Sequence, residues 1–397
     1  MYSRRVWAAP VAAALAAVPA RAQASQSQDY TANAVSAIEA LNTEWYNVET
    51  GLWDGAWWNS ANVLTTLAEF TSLRIHEANK LNLGGYIYNT FVQAQKTQVA
   101  TTKSVADTGM VQSQDCLNND PGCSELVVPL RKRGFNDFIN HFYDDEGWWA
   151  LGLIRAYDIM GNQEFLDDAV RIFDDMQTGL GGPCNGGIYW NKDRRYVNAI
   201  ANELYLSVAA SLANRIPDQR YLDIAQNQWK WFKNSGMINK NNLINDGLDG
   251  NCKNNGMQTW SYNQGVILGG LTELFLATGH TQLLHEAHVI AKAAIRALSN
   301  EKGVLVETDK CELRAGNCGR DGQQFKGIFV RNLRYLHDVA PDQEFRNTII
   351  RNANAIWTHG RNHKNMLSIS WNGPYIQATG ASHSSALDVI VAAVAVA

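Results

Sequence analysis

Hydrophobic positions along the chain follow two alternating patterns. One is amphipathic. Over 164–177, Phe165, Ala169, Ile172, Phe173 and Met176 recur at helical spacing and leave one face polar. The same pattern returns near 30–46, 86–99, 221–233, 283–298 and 345–358. The other pattern is apolar nearly all round, as in 148–160, and returns near 57–74, 198–213, 260–278, 325–339 and 383–397. A helix that is apolar on every side must be buried. Six buried helices alternating with six one-sided ones predict an inner ring enclosed by an outer ring. No stretch reads as a long strand, so the expected class is all-α with at most short strands in loops.

A repeat supports this count. Gly161-Asn-Gln-Glu-Phe-Leu-Asp-Asp-Ala169 is echoed by Pro217-Asp-Gln-Arg-Tyr-Leu-Asp-Ile-Ala225, by Gly279-His-Thr-Gln-Leu-Leu-His-Glu-Ala287 and by Pro341-Asp-Gln-Glu-Phe-Arg-Asn-Thr-Ile349, at spacings of 56, 62 and 62 residues. Each copy is a polar turn followed by a helix start. Connections from inner to outer helices are short (161–163, 214–220). Those from outer to inner helices are long: 100–143, 178–197, 234–259, 299–324 and 359–382. Long loops gathered on one rim of a rigid scaffold usually carry function.

The first 22 residues read as a secretory leader. Arg4 and Arg5 precede an apolar run, 6–18, and Ala20-Arg21-Ala22 has the form of a cleavage site. Residues 23–397 are then a single domain. The leader's apolar run is too short to span a bilayer, and no later stretch is a transmembrane candidate. The chain offers no Asn-x-Ser/Thr acceptor. Its six cysteines all fall in the long loops, and the simplest pairing is Cys116 with Cys123, Cys184 with Cys252 and Cys311 with Cys318. No CxxC or matching His spacing points to zinc, and neither metal nor cofactor is expected. A net charge of −4 and a pI near 6.1 argue against nucleic acid as a partner.

Thirteen Trp and fourteen Tyr suit core packing or a carbohydrate cleft. Polar and aromatic residues collect at the starts of the inner helices: Trp57-Trp-Asn-Ser-Ala-Asn62, Tyr143-Asp-Asp-Glu-Gly-Trp-Trp149, Tyr196-Val-Asn-Ala-Ile-Ala-Asn-Glu203, Trp260-Ser-Tyr-Asn-Gln-Gly265 and Phe325-Lys-Gly-Ile-Phe-Val-Arg331. Asp144-Asp145 stands out among them. Glycoside hydrolysis needs two carboxyl groups flanking one bond, about 5–5.5 Å apart for retention and ~6.5–9.5 Å for inversion. Adjacent residues at a helix start reach the shorter range, and close like charges split their pKa values. The competing reading is helix capping, to which Asp is well suited. Asp167-Asp168 and Asp174-Asp175 are equally adjacent but lie on a one-sided helix. The Gly- and Asn-rich loops 184–190 and 245–256 suit turns, or sugar contact through Trp190 and Asp246; their spacing does not match a calcium loop.

Taken together, Trp57-Trp58-Asn59, Tyr143-Asp144-Asp145-Glu146-Gly147-Trp148-Trp149-Ala150, Asn198-Ala-Ile-Ala-Asn-Glu203, Ile244-Asn-Asp-Gly247, Trp260-Ser-Tyr-Asn-Gln-Gly-Val266, Phe325-Lys-Gly-Ile-Phe329 and Ser384-Ser-Ala-Leu-Asp388 resemble glycoside hydrolase family 76. These are the endo-α-1,6-mannanases and their fungal cell-wall relatives, and the resemblance runs over nearly the whole of 23–397. It implies an (α/α)6 barrel and a retaining attack on α-1,6-linked mannose, with Asp144 as nucleophile and Asp145 as general acid and base. The expected sugar-binding residues are Trp57, Asn62, Trp148, Trp149, Trp190, Asn202, Asp246, Tyr262, Gln264, Lys326 and Arg331. The expected partner is α-1,6-mannan or a mannose-containing glycan, met outside the cell by a monomer. Within the family, some members hydrolyse mannan and anchored fungal members transfer a mannose-containing anchor glycan onto wall polysaccharide. The closing apolar run, 389–397, reads as part of the last inner helix and is shorter than an anchor signal, which favours the soluble branch. A non-catalytic mannan-binding barrel, an inverting glycosidase or lyase on the same fold, and a helical protein-binding scaffold are the rivals.

Overall fold

The computed structural model describes residues 20–97, 99–105, 111–117, 137–314 and 318–397. The inner helices are α2 (Trp57–Leu73), α5 (Tyr143–Met160), α7 (Ala199–Ala213), α9 (Ser261–Thr278), α12 (Phe325–Val339) and α14 (Gly380–Val396). Each packs on the next, and α14 returns to α2, so the ring closes. The outer helices are α1 (Ala20–Trp45), α4 (Leu83–Ala94), α6 (Gln163–Met176), α8 (Gln219–Asn234), α10 (Gln282–Leu298) and α13 (Gln343–His359). The short α3 (Ile75–Lys80) and α11 (Gly319–Gly322) complete the helices. This is the expected (α/α)6 barrel. The run 389–397 lies in α14 and its cap, as expected. The expected leader, 1–22, falls almost wholly outside the described residues.

The sequence repeat is a helix-to-helix turn. Gly161 and Gly279 end inner helices with φ of 67° and 70°, a left-handed conformation that glycine adopts without strain. Asn162, Asp218 and Asp342 then cap outer helices by accepting from the backbone N–H of Glu164, Arg220 and Glu344.

A second regularity appears at the opposite, long-loop end. In five of the six inner helices the fourth residue accepts a hydrogen bond from a backbone N–H of the preceding loop. The pairs are Ser60 with Trp53 at 3.0 Å, Glu146 with Asn140 at 3.1 Å, Asn202 with Ile188 at 2.8 Å, Gln264 with Ile244 at 2.9 Å, and His383 with Leu367 at 3.1 Å. In α12 the corresponding tie comes from Lys326, which donates to the carbonyls of Leu305 and Ile369. Buried loop backbone must find partners, and the barrel supplies one per unit.

Two features depart from or extend the sequence reading. The long loop 100–143 carries strands of the kind allowed in the loops: β3 (Val99–Val105) and β4 (Val111–Leu117), seven residues each, form an antiparallel ladder with Thr101 opposite Asp115 and Lys103 opposite Ser113. A shorter pair, β1 (Tyr46–Asn47) and β2 (Leu52–Trp53), precedes α2. The disulfides Cys184–Cys252 and Cys311–Cys318 form as expected; the expected pairing of Cys116 with Cys123 lies outside the described residues.

Glycines in the first two turns of the inner helices bring backbone against backbone. A Cβ on Gly327 would lie 2.3 Å from the carbonyl oxygen of Ser385, and one on Gly265 would lie 2.5 Å from Cα of Phe329. Backbone cannot give way as a side-chain tip can. Gly327→Ala is therefore expected to destabilise the protein by roughly 1–3 kcal/mol, whereas Gly84→Ala, on the exposed face of α4 with nothing within 4 Å, is neutral or stabilising. Denaturant unfolding of the two variants checks the contrast.

Candidate active site

The long-loop rim encloses a cleft of about 670 Å³, lined by Trp58, Lys103, Asp144, Trp148, Trp190, Tyr196, Asn198, Asp246, Met257, Tyr262, Asp321 and Phe325. Its aromatic floor is continuous. The Trp58 and Trp148 rings stack at 5.8 Å, Trp148 and Tyr262 at 6.5 Å, and Tyr262 and Phe325 at 3.8 Å. Flat apolar faces of this kind suit sugar rings.

Asp144 and Asp145 are the second and third residues of α5. Phe142 enters the helix with extended backbone, and the Tyr143 N–H donates to the carbonyl of Trp190 at 3.0 Å, so the loop carrying Trp190 is fastened to the helix start. Asp144 is 7% exposed and lines the cleft; Asp145 is 1% exposed. Lys103 Nζ donates to Asp144 Oδ2 at 3.1 Å and to Asp145 Oδ1 at 2.6 Å. Those oxygens are therefore no farther apart than the two bonds laid end to end, short of the ~6.5 Å at which inverting pairs begin. Asn140 Nδ2 holds the other Asp145 oxygen at 2.7 Å. The remaining Asp144 oxygen, Oδ1, is buried and has no hydrogen-bond partner among the described residues.

Burial pushes the Asp145 carboxyl up to about 8; Lys103 opposes this, and the neighbouring Asp144 and Asp115 charges add to it. Burial works against the Lys103 ammonium, but Asp144, Asp145 and Asp321 outweigh it and hold the lysine protonated. The pair thus contains a carboxyl that keeps its proton near neutral pH beside one with an uncommitted oxygen. Asp246 and Asp321 are also raised, each to about 6, chiefly by burial. Tyr196 hydroxyl donates to Asp246. Trp58 Nε1 and Ser113 Oγ each donate to Asp321 at 2.9 Å.

The β3–β4 ladder builds one wall. Its alternation places Thr101, Lys103, Ser113 and Asp115 on one face. Asp115 accepts from Thr101 at 2.7 Å and from the backbone N–H of Trp57 at 3.0 Å, and so caps α2, whose own N-cap is Ala56. Sequence reasoning missed Lys103 and Asp321. The usable signal for Lys103 was the period-two run Val99, Thr101, Lys103, Val105, followed by a turn composition at 107–109. Nothing local marks Asp321.

Of the expected binding residues, Trp148, Trp190, Asp246 and Tyr262 line the cleft with Asp144. The structure places the others elsewhere. Trp57 and Trp149 pack on each other at 5.7 Å in the core. Asn202 and Gln264 spend their amides on the loop backbone at Ile188 and Ile244. Lys326 is paired with Glu312 at 2.5 Å beneath the rim. Arg331 pairs with Asp388 at 3.2 Å and binds Asn62 deep inside the ring.

A model of glycosyl hydrolase family 76 matches residues 131–396. The chain belongs to this family. Among curated relatives of this family-76 chain, a putative mannan endo-1,6-alpha-mannosidase of Schizosaccharomyces pombe is 28% identical over 214 residues, covering 50% of this chain and 48% of the relative. A mannan endo-1,6-alpha-mannosidase of Candida albicans is 25% identical over 246 residues, covering 58% and 53%. The chain spans about half the length of the curated relatives it matches. Among solved structures, an inactive variant of an alpha-1,6-mannanase of Salegentibacter sp., with two consecutive aspartates replaced by alanine and alpha-1,6-mannotetrose bound, superposes with a TM-score of 0.72 at 19% identity over 93% of this chain and 99% of that one. Dfg5 of Chaetomium thermophilum, in complex with glucosamine, gives 0.67 at 18% identity over 85% and 80%. At these identities the structural likeness is one of fold. Among the described residues no helix is long and apolar enough to cross a membrane.

Asn202→Ala tests the loop ties. It would leave the buried N–H and carbonyl of Ile188 without their partners, at a cost of about 1–3 kcal/mol for each group. The expected outcome is a lowered unfolding midpoint together with faster hydrogen exchange at the Ile188 amide.

Proposed function

We propose that this family-76 chain is a retaining glycosidase that cleaves internal α-1,6-mannosidic bonds of mannan. The observation that carries the reading is the buried Asp144–Asp145 pair at the floor of an aromatic cleft, with one oxygen of Asp144 left uncommitted. Asp144 attacks the anomeric carbon. Asp145 gives its proton to the departing glycosidic oxygen, then takes a proton from the incoming water as the glycosyl-enzyme is resolved. The N-terminal end of α5 favours negative charge on Asp144. Trp58, Trp148, Tyr262 and Trp190 offer the faces on which mannose rings stack. The names of the fungal relatives and the oligosaccharide bound to the Salegentibacter mannanase support α-1,6-linked mannose as substrate. A protein of this kind, with a leader over 1–22, meets its polymer outside the cell or at the wall.

The second reading keeps the first chemical step and replaces water with a sugar hydroxyl, moving a mannose-containing glycan onto wall polysaccharide.

Incubation with an unbranched α-1,6-mannotetraose separates the readings. Hydrolysis with retention releases shorter fragments first as the α-anomer. Transfer gives products longer than the substrate. Asp144→Ala and Asp145→Asn are each expected to lower kcat/KM by about 10³-fold or more with the unfolding midpoint kept; full activity in either folded variant would refute the assignment. The pH dependence has a definite sign. The acid must carry its proton, so kcat/KM falls as pH rises through the Asp145 midpoint near 8.

A further inference from the structure

A retaining glycosidase must admit an anomeric carbon and a glycosidic oxygen between its two carboxyl groups. In this structure that space is taken. The Lys103 ammonium touches both carboxylates, and its side chain is only 3% exposed. A mannose ring and this ammonium cannot occupy the same volume. Its position also conflicts with the first chemical step, because a cation donating to Asp145 favours the charged carboxylate, whereas the general acid must hold a proton.

Other partners for the ammonium stand beside the carboxylates. It lies 4.6 Å from the centroid of the Phe142 ring and 5.6 Å from that of Trp190, both within cation–π reach, and it faces Asp321 across the cleft. Its four-carbon stem swings without moving the backbone. The ladder that carries it is meanwhile fixed by Asp115 on the start of α2 and by Ser113 on Asp321. Lys103 can therefore move while its strand stays.

We propose that Lys103 is a positioning residue that fills the reaction centre of the empty enzyme, and that the donor sugar displaces its ammonium toward the Phe142 and Trp190 rings. The inference rests on the two-carboxylate reading above. Charged groups facing Asp145 are Lys103 from β3, Asp115 from β4 and Asp144 from its own helix; Asp321 faces Lys103, and Asp246 faces Asp144. Burial already raises the Asp145 carboxyl, and Lys103 opposes that rise. When the ammonium leaves, its opposition goes with it, and Asp145 holds its proton to a higher pH. Donor binding therefore strengthens the acid in the same event that opens the reaction centre.

The test uses Lys103→Met, which keeps the length and removes the charge, and Lys103→Arg, which keeps the charge. Asp145 is followed by its side-chain carboxyl 13C shift in the substrate-free protein, with Asp145→Asn for assignment. In parallel, kcat/KM and KM for α-1,6-mannotetraose are measured against pH. In Lys103→Met the Asp145 midpoint should rise by about one pH unit or more, the alkaline limb of kcat/KM should rise with it, and KM should fall severalfold. Lys103→Arg should keep the wild-type midpoint. An unmoved midpoint in Lys103→Met overturns the proposal. So does a fall in kcat at every pH with KM unchanged, which would place Lys103 in the transition state rather than in competition with substrate. A midpoint that moves in a protein without activity on mannotetraose supports the lysine's role while refuting the mannan reading.

Discussion

Two carboxyl groups on consecutive residues cannot be buried together unless the surroundings answer their charge. Asp144 and Asp145 repel each other, and each loses hydration in the cleft. Three things offset this: the ammonium of Lys103, the amide of Asn140, and the N-terminal end of α5. Each of them depends on a larger part of the molecule. Lys103 needs the β3–β4 ladder, and the ladder needs Asp115 seated on α2. The fastening of the loop to the helix start by Tyr143 and Trp190 fixes where the helix begins. Glu146, one residue on, holds the backbone N–H of Asn140, so the residue that grips Asp145 is itself placed by the same helix. Lys192 holds Glu146 in turn at 2.7 Å.

The barrel meets a more general need with one recurring device. Loops that pass over a buried rim carry backbone N–H groups that water cannot reach. The fourth residue of five inner helices accepts from one of them. The second residue of α2, α5 and α9 is Trp58, Asp144 or Tyr262, and each of these faces the cleft. Two residues at about 100° each separate the directions by roughly 200°. In these three helices the second residue is aimed at the cleft and the fourth back at the scaffold. Chemistry and stability are divided by helical phase.

That division explains what could be read from sequence. Apolar helices alternating with amphipathic ones, together with the polar turns near 161, 217, 279 and 341, led to the closed ring and its two unequal faces. The turns proved to be a glycine C-cap or a proline, followed in three of the four by an Asn or Asp N-cap. The motifs at the helix starts pointed to the right rim but not to the right phase. Trp57, Trp149, Asn202, Gln264 and Lys326 share motifs with Trp58, Trp148, Asn198, Tyr262 and Phe325, yet they point into the core or the loops. Motif membership without phase cannot separate them. Short strands were expected in the loops, but the place of the β3–β4 ladder was not read, because its inward face is Thr101, Lys103, Ser113 and Asp115. Polar strand residues carry no hydrophobic alternation, and their partners lie more than forty positions away along the chain. Asp321 sits in a four-residue helix and is brought to the cleft only by tertiary contacts with Trp58 and Ser113.

The central claim is that Asp144 forms a covalent bond to sugar while Asp145 manages the proton. The most direct measurement is to treat the protein with a 2-deoxy-2-fluoro-α-mannobiosyl fluoride, which slows breakdown of a glycosyl-enzyme more than its formation, and to map the modified peptide by mass spectrometry. The account predicts one added disaccharide on Asp144, slowly lost on addition of an acceptor sugar. A label on Asp145, or turnover without any label and with inverted product, would contradict it.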